Sequence, residues 1–163
     1  NCIRPIYNDQ DLFTIKTQVP ATGKTVEEKY KELIKAVLRS RKEYKGSGTP
    51  TAFMSEDALT EMLLEDTIGH PLYADEAALA RKLRVAKIVT VPRMEGMKGA
   101  KGGDLACLIV NLADYTVGAD KGGAVSMFDD FDIDFNAQKY LIETRCSGAL
   151  TSPYSAMAIE WAA

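Results

Sequence analysis

Apolar residues recur along the chain with two distinct periods, and the clearest helical period starts at Val26. From there, apolar side chains fall at Tyr30, Leu33, Ile34, Val37, Leu38 and Tyr44. At about 100° per residue these positions occupy roughly 140° of arc. Glu27, Lys31, Lys35 and Lys42 lie beside or opposite that arc. The spacing predicts a surface helix of about 19 residues with one buried stripe. Thr25 is its expected N-cap, Glu28 completes the spacing of a capping box, and Gly46 and Gly48 end it.

Elsewhere the period shortens towards that of strands. Residues 11–19, DLFTIKTQV, alternate. Pro50–Met54 reads as a short buried strand ending at Ser55, a good N-cap for a second helix over Glu56–Asp66 with acids at its positive end. Thr67–Tyr73 reads as a turn, Asp75–Leu83 as a short third helix, and Val85–Val91 as a β-branched strand stopped by Pro92. Leu105–Leu112 reads as a strand apolar on both faces, which predicts the centre of a sheet covered by helices. From Val125 the texture changes. Val125–Phe128, Ile133–Phe135, Lys139–Cys146 and Ser155–Trp161 read as successive strands. A boundary is expected near 120–124, where Asp120-Lys121-Gly122-Gly123 marks a turn.

The fold class expected is therefore α+β, with a mixed central sheet flanked by helices and a β-rich C-terminal segment. A length of 163 residues suits one domain, or one domain with an attached fragment. With 46% apolar and 26% charged residues the composition excludes a disordered or fibrous class. Twenty Lys and Arg against 23 Asp and Glu leave a net charge of −3, the opposite of a dedicated nucleic-acid binder. Cys2, Cys107 and Cys146 form no CxxC pair, so they read as small buried hydrophobes. The longest apolar run, Leu105–Val110, is far short of the ~20 residues a bilayer requires. Asp9, Asp11 and Lys16 stand where a signal peptide would be apolar. The expectation is an intracellular protein with no membrane partner, and, since it begins with Asn, a processed or excised piece of a longer chain.

Four stretches invite a chemical reading. Gly23-Lys24-Thr25 opens a helix after a strand, as in a phosphate-cradling loop. Such a loop needs GxxxxGK[ST], and here the first position is Gln18 and Pro20 lacks an N–H donor. His70 is the only histidine, in a Gly-His-Pro turn, so two-histidine zinc sites are excluded and no GxSxG elbow accompanies it. Asp129–Asp134 is rich in acid, yet counting from Asp130 the sixth and twelfth positions of a calcium loop hold Phe135 and Leu141 rather than Gly and Glu. It reads instead as a strand with one solvated face. Gly96, Gly99, Gly102 and Gly103 space out a loop that is expected to be mobile, and it reads either as a flexible surface loop or as a contact loop in an assembly. No catalytic, metal or cofactor site is expected.

The succession TPTAFMSEDALTEMLLEDTIGHPLY resembles the strand, short helix and Gly-x-Pro-Leu turn of major capsid proteins of tailed bacteriophages (the Hong Kong 97 capsid fold). KIVTVP, a variable loop and the return Gly103-Asp104-Leu105 follow in that family's order. At the end, Arg145, Gly148, Pro153 and Ala156 match its closing pattern. The resemblance runs from Thr25 to Glu160. It departs in length, since the family's N-terminal arm, extended hairpin loop and spine helix are not visible before Asn1.

The resemblance implies a 1–24 strand or linker, an axial-type α/β domain over 25–122, and a tail over 123–163 of peripheral-domain strands. It implies a non-enzymatic structural subunit of an icosahedral phage or prophage capsid, self-associating into pentamers and hexamers that enclose DNA. Its place would be the virion, assembled in the bacterial host cytoplasm. Its partners would be further copies, with scaffold and portal proteins, and DNA only non-specifically. Met94, Met97, Lys98 and Lys101 are the assembly-loop candidates. The alternatives are an encapsulin-like shell protein and a phosphate- or nucleotide-binding enzyme using Gly23-Lys24-Thr25.

Overall fold

The computed structural model describes residues 6–9, 11–21, 24–64, 75–119, 125–143 and 145–162. They divide into a larger unit, Asn1–Tyr115 with Leu150–Ala163, and a smaller one, Thr116–Ala149.

The larger unit is built on a five-stranded mixed sheet. Its strands are β1 (Thr14–Pro20), β2 (Thr51–Met54), β3 (Ile88–Thr90), β4 (Leu105–Val110) and β9 (Ala156–Ala162), in the order β1-β9-β4-β2-β3. β1 runs parallel to β9 and β2 parallel to β3, while β4 is antiparallel to both of its neighbours. All six residues of β4 are buried, as its unbroken apolar run predicts for a central strand.

Three helices supply one cover: α1 (Val26–Ser40), α2 (Glu56–Leu64) and α3 (Glu76–Leu83). Leu33, Ile34 and Val37 of α1 join Leu59, Met62, Leu79 and Leu83 over Ile15, Val19, Ile109, Met157 and Ile159 of the sheet. The opposite face is covered by Ile6, Tyr7 and Met94, which pack with Phe53, Leu108, Val110, Ala156 and Ala158. Strand alternation explains the division, with odd positions of β9 facing the helices and even ones facing away. In β4 the register shifts between Leu105 and Cys107. That bulge sends the consecutive residues Ala106 and Cys107 to the helical side.

The helix signals hold in detail. Thr25 accepts the N–H of Glu28, whose carboxylate returns to the N–H of Thr25. The Ser55 hydroxyl accepts from Ala58, and Asp75 caps α3 by accepting from Ala78. α1 stops at Ser40, short of the expected Tyr44, because the next N–H groups bond three residues back, Lys42 to Arg39 and Glu43 to Ser40, and tighten the chain into a turn.

The smaller unit is a ribbon. β5 (Tyr115–Ala119) pairs with β8 (Cys146–Leu150), and β6 (Ser126–Asp132) pairs antiparallel with β7 (Ala137–Glu143). Ile133–Phe135, expected as a strand, instead forms the hairpin turn, where Asn136 takes a φ of 47°. β1 pairs along its whole length with the last strand, and β9 lies inside the main sheet rather than with the ribbon. Pairing between residues some 140 positions apart has no local signature in the sequence. The expected boundary at 120–124 lies outside the described residues.

Candidate assembly site

The loop between β3 and β4 is tied down rather than loose. After a short 3₁₀ turn at Pro92–Met94, it folds into a small hairpin in which Lys98 bridges Asp104 and the Leu105 N–H donates to the Met97 carbonyl. At its centre stands Glu160 of β9, which is fully buried. As an even position, Glu160 projects from the face that this loop covers. Its carboxylate accepts the Lys101 N–H on both oxygens at 3.2 Å and the Gly103 N–H at 3.3 Å. A buried carboxylate needs such donors, because an unpaired one is costly to hold away from water.

Two glycines are required by this arrangement. A Cβ on Gly99 would lie 2.2 Å from the Glu160 carboxyl carbon, and one on Gly103 would lie 2.0 Å from the Trp161 carbonyl oxygen. The glycines expected to make the loop mobile instead let the backbone wrap a side chain closely. The expectation of a loop with no fixed structure in the isolated chain is corrected accordingly.

The four candidate residues therefore have different surroundings. Met94 is 1% exposed and part of the core beneath the sheet, and Met97 is half-buried against the same cluster. Met94 is thus spent inside its own chain. The Lys98 ammonium pairs with Asp104 at 2.7 Å, and that of Lys101 donates to the Lys16 carbonyl at 3.1 Å. Both lysine side chains lie at the surface, but each is held.

The other chemical stretches do not converge. Lys24 and Thr25 begin α1, and the capping box already occupies the first N–H groups there, while Gly23, His70 and Cys2 lie outside the described residues. Among the described residues no group of three His, Cys, Asp or Glu side chains could hold a metal ion, and no helix is long and apolar enough to cross a membrane. Cys107 is buried and Cys146 exposed. Burial pushes the Cys107 thiol up to about 12. Burial, followed by the charge of Asp114, also raises the Tyr44 phenol. Asp114 itself accepts the N–H and hydroxyl of Ser47 at 2.8 and 2.6 Å, pinning the turn after α1.

What the sequence reading missed is the exposure of the β6–β7 hairpin. Asp129–Asp134 is expected to have one solvated face, yet every residue from Ser126 to Phe131 is exposed. Met127 pairs with Ile142 and Phe128 with Leu141, and neighbouring residues of a strand point to opposite faces, so apolar side chains are exposed on both. Their exposures run from 55 to 68%. The signal was present, since Met127, Phe128, Phe131 and Phe135 follow no strict period of two.

No family model matches the chain, and no curated protein matches it. Among solved structures it is similar to the capsid of the empty GTA particle computed with C5 symmetry, at 15% identity and a TM-score of 0.57, over 94% of this chain and 51% of that one. It is similar to a chain of Mycobacterium phage Ogopogo at 10% identity and 0.54, over 97% and 59%. It is also similar to a chain of Gordonia phage Cozz at 12% identity and 0.53, over 99% and 58%. The chain thus spans between half and three-fifths of the chains it matches. At these identities the likeness is one of architecture, and it agrees with the order of motifs from Thr25 to Glu160. The fold of this chain is the tailed-phage major capsid fold.

Proposed function

We propose that this chain is part of a structural subunit of a phage-type capsid, one that associates with further copies and catalyses no reaction. The observation that carries the reading is the match of 94% of the chain to the capsid of the GTA particle. That capsid was computed with fivefold symmetry, so its chains are arranged around an axis. Copies set around an axis meet through heterologous contacts that close into rings. Pentamers and hexamers enclosing DNA, with scaffold and portal proteins as further partners, follow from the same reading, as do a virion location and assembly in the host cytoplasm. On this reading the larger unit is the axial-type domain and the ribbon belongs to the peripheral one.

The physical character of the chain supports a structural role. Its buried carboxylate is satisfied by backbone donors, and its charged loop residues are held in local pairs. Its large exposed apolar surface lies on a ribbon, where a partner can cover it. Expression of the complete reading frame, followed by electron microscopy of the sedimenting fraction, tests the proposal. Closed shells or rings are the expected result. A protein that remains monomeric at high concentration, or that turns over a nucleotide in a manner abolished by Lys24→Ala, overturns it.

A further inference from the structure

The β6–β7 hairpin carries charge that has no counterpart within it. Between Ser126 and Glu143, five acidic residues face a single basic one, Lys139, and the Lys139 ammonium is already paired with Asp132. Asp129, Asp130 and Asp134 are exposed, and among the described residues no ion pair reaches them. The hairpin therefore presents a concentrated acidic end around an apolar tip, with Ile133 83% and Phe135 79% exposed.

The larger unit carries the complementary surface. On the outward side of α1 and the turn that follows it, Lys31, Lys35, Arg39 and Lys42 recur at steps of four, four and three residues, and all four are exposed. That spacing places Lys31, Lys35 and Arg39 within about 80° of arc on α1, as one basic stripe with Lys42 in the turn beyond it. Lys35 has a partner in Glu32 at 2.8 Å, whereas no ion pair among the described residues involves Arg39 or Lys42.

We propose that the acidic end of the hairpin in one copy docks on the basic stripe of α1 in a second copy. Both surfaces are exposed, so each is available to another molecule. Pairing one hairpin edge to edge with another copy's hairpin would set like charges together, which disfavours the symmetric alternative. A contact from hairpin to helix is head to tail. It leaves one hairpin and one stripe open on every pair, so it propagates until a ring closes. The inference rests on the capsid reading and gives that reading a specific contact. The acidic total of the chain and the glutamates set among the lysines of α1 favour a protein partner over nucleic acid.

The test mixes ¹⁴N- and ¹⁵N-labelled chains at low salt and applies a zero-length carbodiimide, which joins carboxylates to lysines in contact. Cross-links between Asp129, Asp130 or Asp134 and Lys31, Lys35 or Lys42 are expected in mixed-isotope form. Charge reversal then checks the energetics. Asp129→Lys with Asp130→Lys, or Arg39→Glu with Lys42→Glu, should each weaken self-association about tenfold or more, and combining all four should restore it. All four positions are exposed, so an unchanged circular dichroism spectrum verifies folding. If the unmodified chain associates and neither reversal alters it, the contact is wrong while the shell reading stands. If the unmodified chain never associates, both fall. If Arg39→Glu with Lys42→Glu abolishes binding of a short DNA duplex and leaves self-association intact, the stripe is a nucleic-acid surface and the proposal is overturned.

Discussion

The backbone N–H of Lys101 lies 3.2 Å from each carboxylate oxygen of Glu160. A strand residue near the end of the chain thus organises a loop some sixty positions earlier. Replacing Glu160 with Ala leaves the part-buried Lys101 N–H and the buried Gly103 N–H without their acceptor, at a cost of about 1–3 kcal/mol. Hydrogen exchange should quicken at these two amides more than at those of β4. Unchanged protection across 97–104 would show that the carboxylate does not hold the loop.

Gly103→Ala should be worse tolerated than an alanine at Gly99. A Cβ on Gly103 meets a backbone carbonyl of β9, which is fixed in the sheet, whereas one on Gly99 meets the carboxyl group of a side chain. The expected loss for Gly103→Ala is about 1–3 kcal/mol, typical of overpacking. Chemical denaturation of the two variants provides the ranking, and equal midpoints would contradict it.

Leu33 is 2% exposed within the cluster that joins α1 to the sheet. Leu33→Ala should cost about 2–5 kcal/mol. By contrast, Val26 on the same helix is 50% exposed, and Val26→Ala should fall within about 0.5 kcal/mol of the parent. Thermal denaturation of the two variants separates a packed stripe from an exposed one.

The local elements were legible because each was written in adjacent residues. Thr25 with Glu28, Ser55 and Asp75 announced three helix starts, and the apolar run of Leu105–Val110 announced a central strand. The fold class followed from their order. The candidate site was read less well. Four glycines between Gly96 and Gly103 give the same composition whether a loop is free or wraps a side chain, and the group that decides, Glu160, lies more than fifty residues away. The same separation concealed the pairing of β1 with β9. The hairpin was obscured for another reason, because burial on one face is the usual state of a strand and this one has both faces exposed.

Cys107 and Cys146 should behave as opposites. Cys107 sits on the helical side of β4 among Ala52, Ile109 and Ile159, and burial pushes its thiol up to about 12. The thiolate is the reactive form, so iodoacetamide should label exposed Cys146 in the native chain and reach Cys107 only after denaturation. Stability carries the same signature. An unfolded thiol ionises near pH 8.5, while the folded one stays protonated until about 12. The contribution of this group is therefore fully present below about pH 8.5 and is lost as the pH rises, at roughly 1.4 kcal/mol per pH unit. Between pH 8 and pH 10 the parent should lose about 2 kcal/mol more than Cys107→Ala in urea denaturation. Parallel losses in the two proteins would mean that Cys107 ionises as readily in the folded chain as in the unfolded one, and that its strand opens to solvent.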